Sequence, residues 1–139
     1  MIYVAKCCAP SDRTYPVIFP LDADPETVHF AIVDDASAAV LAVSTWGPAQ
    51  PPVGPGPGVQ LRGMAVDGGS RGIGLGRLLV RRGLEWARGR GAVVAWANAR
   101  DSALGFYERE GFTVSGEGFI TADTGLPHHV IIYRLDPEK

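Results

Sequence analysis

Short apolar and β-branched runs recur along the chain and are separated by turn-forming residues, a pattern typical of β-strands. Seven strands are predicted, at residues 2–4, 27–33, 38–46 and 61–66, then at 93–97, from 112–114 onward and at 130–135. Between the fourth and fifth strands the apolar period lengthens to three or four residues, which predicts a long helix. Its apolar face is expected to contain Leu75, Leu78, Leu79 and Trp86.

A second, shorter helix is predicted between the fifth and sixth strands. Asp101 or Ser102 can cap its first turn, and Gly111 can end it after about Glu110. Residues 47–58 contain five prolines and four glycines without a hydrophobic period, which predicts a flexible connector. Because the strand after this connector must pair with the strand before it, we expect one domain over residues 1–139.

Composition narrows the functional classes. The 139 residues are 46% hydrophobic, and the net charge of −2 argues against nucleic-acid binding, which normally relies on a strongly basic face. The two cysteines, Cys7 and Cys8, are adjacent, so a disulfide framework and a cysteine-based zinc site are implausible and no metal site is predicted. No apolar run approaches the length of a membrane-spanning helix, and the first residues lack the layout of a signal peptide. We therefore expect a cytoplasmic protein without a membrane partner.

A glycine-rich turn links the fourth strand to the long helix. It contains Asp67-Gly68-Gly69-Ser70 followed by Arg71-Gly72-Ile73-Gly74-Leu75-Gly76. The N–H groups in the first turn of a helix lack intrahelical acceptors and carry partial positive charge, and glycines let a phosphate approach them closely. Arg71 and Arg77 add full positive charges on either side. The turn therefore predicts a phosphate-binding site.

Two nucleotide-binding motifs fit this turn poorly. A nucleoside-triphosphate loop has a lysine and then a serine or threonine after its last glycine, whereas Arg77-Leu78 follows Gly76 here. A dinucleotide-binding turn has the spacing G-x-G-x-x-G directly after its strand, whereas these glycines occupy positions 72, 74 and 76. A nucleotide-binding protein is therefore the weaker alternative.

A third pattern fits better. The stretch from Arg71 to Gly76 resembles the pyrophosphate loop of the GNAT superfamily of acetyl-CoA-dependent N-acetyltransferases. Asn98 follows at the end of the predicted fifth strand, and Ala103-x-x-Phe106-Tyr107-x-x-x-Gly111-Phe112 resembles the last helix of that family. The resemblance covers about residues 60–135. It implies an α/β fold with a mixed, mostly antiparallel sheet flanked by helices, and acetyl-CoA in the cleft between the fourth and fifth strands.

The resemblance also implies roles for individual residues. Tyr107 would act as the general acid that protonates the leaving thiolate. The cofactor-binding residues would be Met64, Ala65, Val66, Arg71, Gly72, Ile73, Gly74, Leu75, Gly76, Arg77 and Asn98. The general base stays open among Glu117, His128, His129 and His29. Most arginines of the long helix are expected to be solvated, and one or two could contact the 3′-phosphate of the cofactor. These are Arg81, Arg82, Arg88 and Arg90.

The implied function is transfer of an acetyl group to a primary amine, by direct attack, on a small-molecule or peptide acceptor. Related enzymes usually have two helices between the first and second strands, which wall the acceptor site. Here about 20 proline-rich residues separate these strands, with room for at most one short helix. The acceptor cleft is then either open or covered by a second subunit, as in a homodimer. A non-catalytic acyl-CoA sensor or structural module of the same fold is the alternative.

Overall fold

The computed structural model describes residues 2–6, 26–34, 36–37, 39–52, 54, 56–68, 74–122 and 124–135. The strands in its first half are β1 (Ile2–Lys6), β2 (Val28–Val33), β3 (Val40–Pro48) and β4 (Gly58–Val66). The helix α1 (Leu75–Gly89) follows, and after it come β5 (Val94–Arg100), a 3-10 turn (Asp101–Ala103) and the helix α2 (Leu104–Arg109). The last strands are β6 (Thr113–Ile120) and β7 (Pro127–Arg134). The predicted order of strands and helices is confirmed.

The sheet is mixed. Its strands follow the order β1-β2-β3-β4-β5-β7-β6. β4 and β5 pair in parallel, whereas the pairs β1–β2, β2–β3, β5–β7 and β6–β7 are antiparallel. This confirms the predicted α/β class with a mostly antiparallel sheet. Neither helix in the described part of the chain is long and apolar enough to cross a membrane.

The chain divides into two compact units, the first formed by residues 1–48 and 61–85 and the second by residues 49–60 and 86–139. β4 and α1 each begin in one unit and end in the other. The prediction of one domain over the whole chain stays a prediction.

In the first unit, β2 and β3 present alternate apolar residues to a buried face. Val28 is paired with Trp46, and both are buried. The Trp46 Nε1 donates a 2.9 Å hydrogen bond to Oγ of Ser44. Gly83 of α1 lies against the Trp46 indole so closely that an added Cβ would overlap the ring. The absence of a side chain at Gly83 is therefore what lets α1 pack on this tryptophan.

The packing of α1 corrects one prediction about its apolar face. Leu75, Leu79 and Leu84 are buried, but Leu78 is 47% exposed. At about 100° of rotation per residue, Leu78 lies roughly opposite Gly83, the residue that contacts the tryptophan. The rotation of the helix is thus set by its tryptophan partner, which the apolar period alone did not identify.

In the second unit, Val94, Trp96 and Ile132 form an apolar cluster on β5 and β7. The predicted connector is anchored on this cluster, because the Trp96 Nε1 donates a 3.1 Å hydrogen bond to the carbonyl oxygen of Ala49. The Ala49 N–H in turn donates to the carbonyl oxygen of Gly58 at 3.1 Å. The connector is therefore shorter than predicted, since residues 47–48 belong to β3 and residue 58 to β4.

The ends of both helices follow the glycine rule. α1 is followed by Gly91, which has a φ of +84°, and the N–H of Ala92 bonds back to the carbonyl oxygen of Ala87 at 3.1 Å. α2 is followed by Gly111 with a φ of +104°, and the N–H of Phe112 bonds to the carbonyl oxygen of Tyr107 at 3.1 Å. These bonds satisfy carbonyl groups at the helix ends, and the end of α2 at Gly111 is as predicted.

Candidate functional site

The predicted phosphate-binding turn ends in the first turn of α1, in the first compact unit. Gly74 directly precedes the helix with a φ of +87°, and its carbonyl oxygen accepts a 3.2 Å hydrogen bond from the N–H of Leu78. The N–H groups of Leu75, Gly76 and Arg77 therefore precede the first intrahelical donor and have no intrahelical acceptor. This first turn contains no acidic residue of its own that would offset its partial positive charge.

The other half of the predicted turn cannot be placed. Arg71, Gly72 and Ile73 lie outside the described residues. Their predicted role in binding the cofactor stays a prediction.

The end of β4 presents backbone groups of the kind that the family resemblance implies. The parallel ladder with β5 joins Gly58–Gln60 to Val94–Trp96. β4 continues beyond it to Val66, and on the β3 side the N–H of Asp67 donates a 2.7 Å hydrogen bond to the carbonyl oxygen of Leu41. Within the described ranges, the ladder with β5 thus stops before Met64, Ala65 and Val66. Their main chain can pair with an extended ligand on that side.

Tyr107 lies in α2, in the second unit, and is 8% exposed. Its ring packs edge-on against Phe106 at 5.0 Å and Phe112 at 5.6 Å between centroids. Burial raises the pKa of Tyr107 to about 12, so the phenol stays protonated across the neutral range. Among the described residues, Nε of Arg62 is a buried side-chain atom without a hydrogen-bond partner. The Tyr107 hydroxyl is not such an atom. The role of Tyr107 as the general acid stays a prediction.

Asn98 is placed differently from the prediction. β5 does not end there but continues to Arg100, because its ladder with β7 extends to the pair Arg100 and His128. Asn98 is an exposed residue inside the strand, opposite Val130. Its predicted cofactor contact stays a prediction, but its side chain stands on a strand and does not form a turn.

The three histidines proposed as bases have different surroundings. His29 is buried and its Nδ1 lies 2.9 Å from Oγ1 of Thr45. His128 is also buried, with Nδ1 2.8 Å from the carbonyl oxygen of Leu126 and its ring stacked on Phe119 at 5.9 Å. His129, the next residue on β7, points to the other face of the strand, as the alternation of strand side chains predicts.

His129 has a carboxylate partner that the sequence did not reveal. Its Nδ1 lies 2.6 Å from Oδ1 of Asp101, in the 3-10 turn that follows β5. The prediction that Asp101 or Ser102 caps a helix is wrong, since neither the 3-10 turn nor α2 has a side-chain cap. The Asp101 carboxylate binds the imidazole 28 residues away instead. A turn-forming aspartate and a helix-capping aspartate look alike in a single sequence, so no pattern distinguished these roles.

The four candidate arginines of the long helix and its end are exposed. Arg90 lies over the Trp86 ring at 5.0 Å, a cation–π contact that occupies its guanidinium. This agrees with a solvated face for most of them, and the contact with the 3′-phosphate stays a prediction.

The predicted site residues thus form two groups. Met64–Val66 and the first turn of α1 belong to the first unit, whereas Asn98, Asp101, Tyr107 and His129 belong to the second. The first group offers main-chain donors suited to a phosphate and an extended chain. The second offers a phenol and an imidazole–carboxylate pair suited to proton transfer.

Comparison with known proteins agrees with this chemistry. None of the curated proteins compared has a sequence that matches this one significantly. Among solved structures, the fold is similar to nourseothricin acetyltransferase, with a TM-score of 0.67 and 23% identity over 86% of this chain and 70% of that chain. It is also similar to aminoglycoside 6′-N-acetyltransferase complexed with coenzyme A, with a TM-score of 0.65 and 16% identity over 84% of this chain and 77% of that chain.

A third similar structure is the NatC complex bound to Gag peptide and CoA. Its TM-score is 0.66 and its identity 15%, over 79% of this chain and 71% of that chain. At these identities the structural likeness shows the fold. The sequence itself matches a family description over residues 4–112, which is most of the chain. The chain therefore belongs to the acetyltransferase (GNAT) family, as its glycine-rich turn and second helix predicted.

Proposed function

We propose that the protein transfers the acetyl group of acetyl-CoA to a primary amine by direct attack. Acetyl transfer follows from the family, and acetyl-CoA is its donor, as predicted. The amine acceptor is the proposed part. It is supported by the proton-transfer groups of the second unit, because a protonated amine must lose a proton before it can attack.

The residues present fit acetyl-CoA. The pyrophosphate requires N–H donors, and the first turn of α1 offers those of Leu75 and Gly76 and contains no acidic residue of its own. Gly74 has no side-chain atoms, and nothing lies within 4 Å of where a Cβ would be. The pantetheine arm resembles a strand in its spacing of amides, and the main chain of Met64–Val66 continues beyond the β5 ladder.

When bound, acetyl-CoA supplies a thioester whose carbonyl carbon accepts a nucleophile and whose sulfur leaves as a thiolate. Tyr107 would donate its hydroxyl proton to that sulfur. Because burial raises the pKa of Tyr107 to about 12, it is a weak acid, and its contribution comes from its position and not from driving force.

The observation that carries the proposal is the environment of Tyr107: a buried phenol that stays neutral, in a helix that the family uses at its reaction centre. The test is calorimetric titration with acetyl-CoA, with coenzyme A, NAD and ATP as controls, followed by a screen of amine acceptors. We expect micromolar binding of acetyl-CoA and N-acetylation of at least one amine class. Absence of binding to any coenzyme A species would contradict the proposal.

Two glycines with nearly the same backbone conformation give a matched test of the binding turn. Gly74 and Gly91 have φ of +87° and +84°, and both have open space where a Cβ would be. Alanine at either position costs about 1 kcal/mol of backbone strain. We expect Gly74→Glu to weaken acetyl-CoA binding at least about tenfold through the added negative charge. Gly91→Glu, the same substitution at the matched position, should leave affinity unchanged.

Tyr107→Phe distinguishes an enzyme from the alternative, a non-catalytic acyl-CoA-binding module. For an enzyme we expect kcat to fall by about 10²-fold or more while the affinity for acetyl-CoA is retained, because the phenylalanine keeps the ring contacts and removes the proton donor. If the wild-type protein binds acetyl-CoA tightly but acetylates no amine, the binding-module alternative is correct.

A further inference from the structure

The Asp101–His129 pair has the geometry of an oriented proton acceptor. Its Nδ1 to Oδ1 distance is 2.6 Å, and the side chains of His129 and Asp101 are 24% and 38% exposed. An ionised carboxylate can only accept a hydrogen bond, so Nδ1 of His129 carries the donated proton. In the neutral ring, Nε2 then holds the free electron pair. A carboxylate beside Nδ1 also stabilises the imidazolium that forms when Nε2 takes up a proton.

The pairing of β6 with β7 is irregular opposite this imidazole. The β6–β7 register joins Ser115 to Val130 and Phe119 to His128. The three residues from Gly116 to Gly118 therefore stand opposite His129 alone. Irregularities of this kind re-aim side chains next to active sites.

Gly118 is the residue that the ring contacts. A Cβ at Gly118 would lie 2.8 Å from Cε1 and 2.9 Å from Nε2 of His129. Any larger residue at this position would therefore displace the imidazole edge that carries the free electron pair. The pairing of β6 with β7 is thus irregular beside the His129 ring, where a side chain at Gly118 would lie too close to Nε2.

The pair and Tyr107 lie on the same side of the second unit. Asp101 directly follows β5, and Tyr107 follows six residues later in α2. His129 and Tyr133 are four residues apart on β7 and so share a face. Tyr133 packs on Phe112 at 5.4 Å between centroids, and Phe112 packs on Tyr107 at 5.6 Å. An acid and a base are thereby carried on one face of the same unit.

The other candidate bases have different surroundings. His29 and His128 are both buried. His128 is bonded to a neutral carbonyl oxygen, which stabilises an imidazolium less than a carboxylate does. Glu117 is exposed in the irregular part of β6, and in the described part of the chain no hydrogen bond or ion pair holds its carboxylate in place.

We propose that His129 is the general base of the acetyl transfer and that Asp101 is its positioning residue, an inference that rests on the proposed function. Nε2 of His129 takes one proton from the acceptor ammonium, directly or through one water. The neutral nitrogen forms a bond to the acetyl carbon as the carbon–sulfur bond breaks. Tyr107 gives its proton to the leaving sulfur and is reprotonated by the second proton that the nitrogen loses, directly or through water, and His129 releases the first proton to solvent. The acceptor class is therefore an amine that is protonated at neutral pH.

The test compares His129→Gln with His128→Gln and Glu117→Gln as controls on the neighbouring residues. We expect His129→Gln to lower kcat/KM by about 10²-fold at neutral pH and to leave acetyl-CoA affinity within about twofold. The loss of kcat/KM should become smaller at high pH, where the amine deprotonates without a base. The acidic limb of the kcat/KM–pH profile of His129→Gln should therefore differ in shape from that of the wild type. The two control variants should keep the wild-type profile.

Asp101 is tested by Asp101→Asn and Asp101→Glu. Asparagine should favour the wrong tautomer, and we expect at least about a tenfold loss of kcat/KM, with partial recovery by glutamate. In the protein without ligand, ¹⁵N NMR of the imidazole should show Nδ1 protonated in the wild type and an altered tautomer in Asp101→Asn. A wild-type spectrum with Nδ1 unprotonated would overturn the assignment.

The two levels of inference fail separately. If wild-type protein acetylates an amine and His129→Gln keeps both rate and pH profile, the base assignment is wrong and the proposed function stands. If wild-type protein acetylates no amine, the proposed function fails and the base role fails with it.

Discussion

Each compact unit contains a polar side chain that fills the space left by a glycine, Arg62 in the first and His129 in the second, but the partners of the two side chains differ. In the first unit, the Arg62 guanidinium donates to Oγ1 of Thr27 at 2.8 Å and to the carbonyl oxygen of Pro48 at 3.1 Å. Gly47 leaves the space that this guanidinium fills. In the second unit, Gly118 leaves the space that the His129 ring fills, but the partner there is a carboxylate and the pair is partly exposed.

The difference in partners assigns a structural role to Arg62 and a chemical role to His129. Within the described residues, Arg62 has neutral oxygen partners, and its Nε is buried without one. A partly buried guanidinium that donates to neutral oxygens links β4 to Thr27 and to the end of β3, so its role is structural. The partly exposed imidazole of His129, beside the Asp101 carboxylate, can take up and release a proton. We therefore expect changes at Arg62 to alter stability and changes at His129 to alter turnover.

The largest effect on stability is expected for Arg62→Ala. Truncation leaves the Pro48 carbonyl oxygen without this donor and opens a cavity beside Gly47, which together cost about 3 kcal/mol of unfolding free energy. Urea denaturation measures this change. Arg88→Ala, at an exposed arginine of α1, is the control and should stay within about 0.5 kcal/mol of wild type. An Arg62 variant as stable as this control would remove the contrast between the two units.

Tyr107 sharpens the comparison because it is buried, whereas Arg62 is partly buried, and yet it belongs to the proposed chemistry. Burial raises its pKa to about 12, whereas a phenol in the unfolded chain titrates near 10. The stabilisation is therefore complete below pH 10 and is lost as pH rises through 12. At pH 11 the wild type should have lost roughly 1–2 kcal/mol more than Tyr107→Phe, relative to pH 8. Parallel pH dependences for the two proteins would show that this phenol is not buried in solution.

A smaller effect is expected for Gly118→Ala, which moves the imidazole without removing it. The added Cβ would lie 2.8 Å from Cε1 of His129, so the ring must turn away. We expect kcat/KM to fall about fivefold, equivalent to about 1 kcal/mol, and acetyl-CoA affinity to stay unchanged. Steady-state kinetics and calorimetry measure the two quantities. Unchanged kinetics would show that the ring position is not critical.

Gly89→Ala is the matched control for this substitution and the smallest change. Gly89 is the last residue of α1, is exposed, and has nothing within 4 Å of where a Cβ would lie. Alanine there should stabilise the fold by about 0.5 kcal/mol, because it restricts the unfolded chain and has a higher helix propensity than glycine. Thermal unfolding measures the gain. Destabilisation instead would indicate that the end of α1 needs the freedom of glycine.

Elements with a local cause were predictable from the sequence. The strands follow from apolar runs, and Gly91 and Gly111 end their helices because a positive φ is easiest for glycine. The start of α1 directly after the glycine-rich turn was predictable because the two are contiguous, and phosphate binding there stays a prediction. These features depend on residues within one or two turns of each other.

Features that depend on distant partners were not predictable. Leu78 is exposed because Trp46 and Gly83 set the rotation of α1. Asn98 stands inside β5 because the ladder with β7 extends past it, and Asp101 meets His129 because that same ladder brings the two segments together. A register between strands about 30 residues apart is set by the whole sheet, so a pattern along one segment cannot identify it.

The irregularity in β6 has a second consequence, for solubility. Among the described strands, β6 is the last in the sheet order, and it exposes Phe119 and, at 70%, Ile120. A long, flat, apolar edge strand is a template for pairing with other chains. Here the regular pairing of β6 is interrupted between residues 115 and 119, so only segments of three and two residues are regularly paired. The glycine-containing segment that faces the His129 ring therefore also shortens the regularly paired part of this edge, and a shorter edge is a poorer template for pairing with a neighbouring chain.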